Sequence, residues 1–187
     1  MNLKIINIYD ILNIGESYFR NVVECFSSIN PDIQDFLLNR AVEFAKLKQA
    51  VTYLVMNDEK LAGYFTLAVK TFEIKSTYIS KTMSKKLSRV CALDVDNNCY
   101  RPPAILIAQI GKNFTYKHES IISGKELLQV AMEIILDIQY QAGGVITFLE
   151  CENKKQLLDF YHDNGFKDVS IRNTQDDKNL VQLYKLI

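Results

Sequence analysis

Residues 104–128 read AILIAQI-GKNFTYKHESIIS-GKELL: an almost unbroken apolar run, a polar connection, and the opening of a helix. A strand apolar on both faces belongs in the middle of a sheet. From Gly124, the residues Leu128, Ala131, Ile135, Ile138 and Ala142 recur at spacings of three and four, which predicts one helix to about Gln141, stopped by Gly143-Gly144. A helix N-terminus presents unpaired backbone N–H groups and a partial positive charge. Ser123, Gly124 and Lys125 at that end can wrap an anion: Gly124 has no side chain to hold a phosphate off the backbone, and Lys125 adds a point charge. A Ser-Gly opening also serves as a plain helix cap. Neither G-x-x-x-x-G-K-[ST] nor G-x-G-x-x-G occurs, so the two commonest nucleotide-binding motifs are absent.

Toward the N-terminus, Leu3 to Ile8 reads as a strand, and Tyr18, Val22 and Phe26 suggest a helix. Asn30-Pro31 starts another, with Ile33, Phe36, Leu37, Ala41 and Phe44 as its apolar face. Ala50 to Met56 and Lys60 to Ile74, joined at Asn57-Asp58, read as an antiparallel hairpin. Between 75 and 101, Lys75, Lys81, Lys85, Lys86, Arg89 and Arg101 face only Asp94 and Asp96; the expectation is a solvated loop with a short helix. Toward the C-terminus, Val145 to Leu149 is a buried strand and Lys154 to Asp163 a helix with Leu157, Leu158 and Tyr161 on one side. Phe166 to Ile171 and Leu180 to Leu186 are closing strands. This order predicts a mixed α/β fold with helices on both sheet faces.

The 187 residues predict one domain over 1–187, with a basic insert at about 75–101. Twenty-two basic residues balance twenty-two acidic ones, which argues against a protein that coats nucleic acid by charge alone. No apolar run reaches the roughly 18 residues of a membrane span. The opening MNLKIINIYDIL lacks the features of a signal peptide, so the expected compartment is the cytoplasm. Cys25, Cys91, Cys99 and Cys151 form no C-x-x-C pair and have no histidine at ligand spacing. They read as reduced thiols packed as small hydrophobes, with no metal site.

The segment Leu149-Glu150-Cys151-Glu152-Asn153 and then Phe160-Tyr161-His162-Asp163-Asn164-Gly165-Phe166 resembles the C-terminal half of GNAT-superfamily N-acetyltransferases, where a buried strand leads to Asn, a short helix and an F-Y-x-x-x-G-F signature. The helix opening Gly124-Lys125-Glu126-Leu127-Leu128 and the order of elements are similar as well. Shorter pieces resemble a subgroup containing toxin-type acetyltransferases that act on aminoacyl-tRNA: Phe36 to Ala41, Gly63 to Ala68, and Arg101-Pro102-Pro103-Ala104 running into Gln109-Ile110-Gly111. The resemblance implies a GNAT-like, mostly antiparallel sheet with a splayed parallel pair of strands, and acetyl-CoA as cosubstrate. It departs at the pyrophosphate loop, usually [RQ]-x-x-G-x-[GA]. Here Glu119 stands for Arg or Gln and Ile122 for the middle glycine. Ile122 is β-branched and resists positive φ, so the loop is expected to bend differently, with Glu119 pointing away.

Carried over, Ile110, Gly111 and Lys112 would hold the pantetheine arm by main chain, Ile122, Ser123, Gly124 and Lys125 the phosphates, and Asn153 would also touch the cofactor. A primary amine then attacks the thioester directly, the oxyanion stabilised by fixed donors, with Tyr161 as general acid toward the departing thiolate; Tyr161 also reads as a core aromatic. Glu150 reads either as a base or as a polar strand end, and His118 and His162 read as exposed. The acceptor is a small molecule, a peptide or aminoacyl-tRNA, and a homodimer is compatible with the resemblance. Besides an amine N-acetyltransferase, two further readings stand: a toxin-like enzyme on charged tRNA, and a GNAT-fold binding module without catalysis.

Overall fold

The apolar runs form the sheet, and the amphipathic runs form the helices. The computed structural model describes residues 3–116, 121–173 and 179–187. In chain order the elements are β1 (Leu3–Asn7), α1 (Ile8–Leu12), α2 (Glu16–Val23), α3 (Pro31–Asp35), a π-helical turn (Phe36–Arg40), α4 (Ala41–Lys46), β2 (Val51–Asn57), β3 (Lys60–Thr71) and β4 (Ile74–Lys75). They continue with a 3-10 turn (Ser76–Tyr78), α5 (Lys81–Leu87), β5 (Leu93–Asp94), β6 (Cys99–Tyr100), β7 (Pro103–Lys112), α6 (Gly124–Ala142), β8 (Ile146–Glu152), α7 (Lys155–Asp163), β9 (Lys167–Asn173) and β10 (Asn179–Leu186). The seven-stranded sheet has the order β1-β2-β3-β7-β8-β10-β9; a smaller one has β4-β6-β5. The pairs β1–β2, β2–β3, β8–β10 and β10–β9 are antiparallel, and β7–β8 is parallel. The run 104–110 thus occupies the central strand, as its two-sided apolar character requires.

The chain divides into two compact units, Met1–Ala68 with Ile107–Ile134, and Val69–Leu106 with Ile135–Ile187. In the first, Ile8, Phe19, Val23, Phe26, Leu37, Leu54 and Tyr64 form the core. Asn30 caps α3, its side-chain oxygen accepting from the Asp32 N–H at 2.9 Å. The Tyr64 hydroxyl donates to the Ile33 carbonyl at 2.6 Å. Two readings need correction. The buried face of α2 is Phe19 and Val23, four residues apart on one side of the helix and leading on to Phe26, whereas Tyr18 is exposed. The helix begun at Asn30 widens at Phe36–Arg40, where the Ala41 N–H reaches back five residues to the Phe36 carbonyl. The extra residue lets Phe36, Leu37, Ala41 and Ala45 all face inward while the Arg40 guanidinium lies over the rings of Phe36 and Phe44.

In the second unit, Phe72, Ile74, Met83, Leu87, Tyr100, Phe148 and Tyr184 pack into one cluster. The 75–101 stretch has the expected short helix, α5, and in place of plain loop around it short strands. Residues Ile74–Lys75, Cys99–Tyr100 and Leu93–Asp94 pair as short strands, and α5 buries Met83 and Leu87 while Lys81, Lys85 and Lys86 stay exposed. Arg101 is ion-paired with both Glu73 and Asp94. Asp94 is held down at about 2, first by hydrogen bonds from Asn97 and then by Arg101. The four cysteines are free, but Cys25 is exposed rather than packed; Cys99 and Cys151 are buried.

Candidate active site

In the first unit, Ile110, Gly111 and Lys112 are the last residues of β7, all half-buried. The chain just beyond them is pinned by Asn113. Its N–H donates to the Ala62 carbonyl at 2.8 Å and its amide nitrogen to the Leu61 carbonyl at 2.9 Å. Its Oδ1 accepts from the N–H groups of Ser27 at 3.1 Å and Thr115 at 3.0 Å. Gly111 is required by close approach: a Cβ there would lie 2.5 Å from Ile33 Cγ2, and one on Gly63 would lie 2.8 Å from the Gly111 carbonyl oxygen. These contacts fix the strand end that the resemblance assigns to the pantetheine arm.

At the start of α6, Ser123 and Glu126 form a reciprocal cap. Ser123 Oγ accepts from the Glu126 N–H at 3.1 Å, and the Ser123 N–H donates to Glu126 Oε2 at 2.7 Å. Ser123 holds the Glu126 carboxyl below its usual range through those bonds. The Leu127 N–H returns to the Ser123 carbonyl. Gly124 and Lys125 keep amides for which the helix supplies no acceptor. Ile121 and Ile122 are both buried, so Ile122 turns its side chain into the protein and offers a ligand only its main chain. Of the expected phosphate run Ile122 to Lys125, the Ser123 amide is thus engaged by Glu126, and the Gly124 and Lys125 amides are left outside the helix's own hydrogen bonding. His118 and Glu119 lie outside the described residues.

In the second unit, Asn153 is exposed in the bend between β8 and α7. Tyr161, on the inner face of α7, is 7% exposed, and the rings of Phe160 and Phe166 meet it edge-on at 5.1 and 5.8 Å. The F-Y-x-x-x-G-F signature is thus one packed aromatic group, closed by Gly165 at φ +85° and by the Phe166 N–H bonding to the Tyr161 carbonyl. Burial raises the Tyr161 phenol above its ordinary value, and nearby Cys151 adds to the shift. Cys151 itself is pushed up to about 11, first by burial and then by Asp168 and Glu152. His162 is exposed, its Nε2 lying 2.8 Å from Asp168. Thr147 on β8 donates to the Ile105 carbonyl on β7 at 2.9 Å, a bond inside this unit.

Asn113 and Glu126 carry roles here that the sequence analysis does not assign them. The S-x-x-E of Ser123 to Glu126 is a cap signal in the sequence, whereas Asn113 bonds to Leu61, Ala62 and Ser27, all distant in sequence, besides its local bond from Thr115.

Family models and curated sequences yield no match. Solved structures do. The toxin AtaT complexed with acetyl-methionyl-tRNAfMet matches at a TM-score of 0.65 and 15% identity, covering 96% of this chain and 94% of that one. An AtaT variant bound to the C-terminus of the antitoxin AtaR and acetyl-CoA matches at 0.61 and 13%, covering 100% and 94%. A GNAT-family protein from Desulfovibrio desulfuricans matches at 0.55 and 12%, covering 98% of each chain. The chain has the GNAT acetyltransferase fold. The F-Y-x-x-x-G-F group of this chain lies on α7 and the turn after it, following β8. Among the described residues no helix is long and apolar enough to cross a membrane.

Proposed function

We propose that the protein is an acetyl-CoA-dependent N-acetyltransferase acting on a primary amine. The observation that carries this reading is the reach of the structural likeness, nearly the whole of both chains, so the site-forming elements of the GNAT fold have counterparts here. Bound acetyl-CoA would supply an activated acetyl thioester. The main chain of Ile110, Gly111 and Lys112 would take the pantetheine arm. The amides of Gly124 and Lys125, with the Lys125 ammonium, would take the pyrophosphate, Ile122 and Ser123 would border it, and Asn153 would contact the cofactor from its bend. Tyr161 is the acid. Burial keeps its phenol protonated, so it meets the departing thiolate as a hydrogen-bond donor. Handing that proton to a thiolate whose thiol has an ordinary pKa of about 8.5 is uphill for the phenol alone, so the proton shed by the attacking amine must make up the balance and end on the sulfur, giving amide and free thiol.

A narrower reading is that the amine belongs to aminoacyl-tRNA. It is favoured by the basic outer face of α5 and the residue beyond it, where Lys81, Lys85, Lys86 and Arg89 are exposed, and by the AtaT complex with acetyl-methionyl-tRNAfMet among the structural neighbours. Phosphate contacts there would be salt-sensitive. An α-amino group also needs little help to lose its proton, having an ordinary pKa of about 7.7–8.0.

Two measurements test the proposal. Acetyl-CoA at 100 times its dissociation constant should stabilise the protein by about 2.7 kcal/mol; no thermal shift at millimolar acetyl-CoA would leave a GNAT-fold binding module without catalysis. Labelled acetyl transfer to charged tRNA should be lost when Lys85, Lys86 and Arg89 are changed to Glu together, while acetyl-CoA binding persists. Transfer that survives the triple change would remove the α5 face as the tRNA contact, and a wild type that transfers nothing to charged tRNA would remove the tRNA reading and leave the amine acetyltransferase.

A further inference from the structure

Within the second unit, Val181, Leu183 and Lys185 of β10 lie opposite Cys151, Leu149 and Thr147 of β8, so all six share one face of the sheet. It is the face that meets α7, since Cys151 is close enough to Tyr161 for its charge to act on that phenol. Val181 and Leu183 are buried, as a strand under a helix requires, and Lys185 ends the row half-buried. Its ammonium turns toward the end of α7. Lys185 Nζ donates to the Asn164 carbonyl at 2.8 Å and lies 5.8 Å from the centre of the Phe166 ring. Between those contacts its stem passes Gly165, where a Cβ would sit 3.5 Å from Lys185 Cε and Nζ.

Asn164, Gly165 and Phe166 are the turn that holds Tyr161. The Asn164 and Phe166 N–H groups both return to the Tyr161 carbonyl, at 3.1 and 3.0 Å, and the Phe166 ring meets the Tyr161 ring edge-on. The Asn164 side-chain nitrogen donates to the Phe160 carbonyl at 2.7 Å. These bonds all lie within α7 and its turn, so they fix the turn's shape without fixing its place on the sheet. The bond from Lys185, across 21 residues of sequence, fixes that place. The contact of His162 with Asp168 on β9 is exposed at both ends, where such a pair contributes little. A cation also suits the carbonyls left over at a helix C-terminus. An apolar side chain could cover Phe166 equally well, but it could not reach the carbonyl.

We propose that Lys185 is a positioning residue for Tyr161: it pins the turn after α7 to the sheet and thereby fixes where the Tyr161 hydroxyl points. The inference rests on the acetyltransferase reading above, with Tyr161 as the acid. Lys185 touches neither acetyl-CoA nor acceptor in this role and moves no proton. What it supplies is alignment. The hydroxyl must reach the departing sulfur in the transition state, and a hydrogen bond weakens steeply when its angle or distance is wrong. A small drift at the end of α7 would keep the aromatic packing and lose that reach.

The test follows acetyl transfer by the full chain to two probes, total aminoacyl-tRNA and a peptide with a free α-amine, alongside calorimetric binding of acetyl-CoA alone. Lys185→Met keeps an unbranched stem over Phe166 and removes the donor. It should lower kcat by about tenfold to a hundredfold and leave the acceptor KM and the acetyl-CoA dissociation constant unchanged. Lys185→Arg keeps a charged donor and should recover most of the loss. The deciding measurement repeats Lys185→Met in a Tyr161→Phe background, where no hydroxyl is left to aim, and kcat should fall no further there. An equal fold-loss in both backgrounds, or a lowered Tm with unchanged kcat, would overturn the positioning role and leave the transferase reading intact. A fully active Tyr161→Phe protein would overturn the acid and its positioning residue together. A wild type that binds acetyl-CoA yet acetylates neither probe would overturn the transferase reading, and the role of Lys185 with it.

Discussion

Two glutamates sit in polar corners of this molecule, and the corners are built differently. At the start of α6, Glu126 and Ser123 satisfy each other twice, amide to carboxylate and hydroxyl to amide. Across β8 and β10, Glu150 is held by Gln182, whose other end is left unanswered. A self-satisfied corner stabilises the fold and resists an incoming anion, because a carboxylate already occupies part of the helix N-terminus. One with an enclosed, unpartnered amide oxygen weakens the fold. The difference separates polar groups that a fold needs from polar groups that it tolerates for another reason.

The largest effect expected is at the aromatic group beside the second corner. Tyr161→Phe keeps the edge-on packing with Phe160 and Phe166 and removes only the hydroxyl. Turnover should fall by about 10²–10⁴-fold, with the acetyl-CoA dissociation constant unchanged, as read by steady-state kinetics and calorimetry. A fully active Tyr161→Phe protein would reduce Tyr161 to the core aromatic that its 7% exposure also describes.

Next is the strand end that leads toward the first corner. Gly63→Ala would place a methyl group 2.8 Å from the Gly111 carbonyl oxygen, and backbone cannot swing away as a side-chain tip can. Overpacking of this kind costs about 1–3 kcal/mol, and it should appear as a lower denaturation midpoint. If the main chain of Ile110 to Lys112 carries the pantetheine arm, acetyl-CoA affinity should fall in the same variant. Lost stability with unchanged affinity would sever that link.

How much of this was readable beforehand follows the range of the forces involved. Ala104 to Ile110 announced a central strand because burial on both faces leaves no polar alternation, and α6 announced itself through five apolar residues at helical spacing. Phe160 to Phe166 was legible only through its resemblance to the GNAT signature; the structure adds the physical reason, a Gly165 at positive φ and two Phe rings packed edge-on against Tyr161. The small sheet in 75–101 was not, since two-residue strands are too short to carry a period. Nor was the π-helical turn, which exists because Phe36, Ala41 and Ala45 must share one core. Glu126 was readable as a cap but went unread beside Gly124 and Lys125. The partnership of Gln182 with Glu150 spans 32 residues and is set by strand register alone.

The smallest expected effect tests the first corner against itself. Glu126→Gln can keep the bond from the Ser123 N–H, because an amide oxygen also accepts, while it removes the negative charge from the helix N-terminus. Two consequences of opposite sign follow. Acetyl-CoA should bind more tightly by a factor on the order of two to five, the scale of one screened surface charge pair. Stability at neutral pH should fall slightly, because a carboxylate suits a helix N-terminus better than an amide does. The folded protein holds the Glu126 carboxyl below its ordinary value. Its contribution is therefore present above the unfolded carboxylate range and is lost as pH falls through the lowered folded value. The Tm difference between wild type and Glu126→Gln should accordingly be present at pH 7 and close in acid. A difference that persists unchanged below that range would place its origin in packing rather than charge. A gain in acetyl-CoA affinity without any pH-dependent Tm difference would mean that the carboxylate repels the ligand without stabilising the helix.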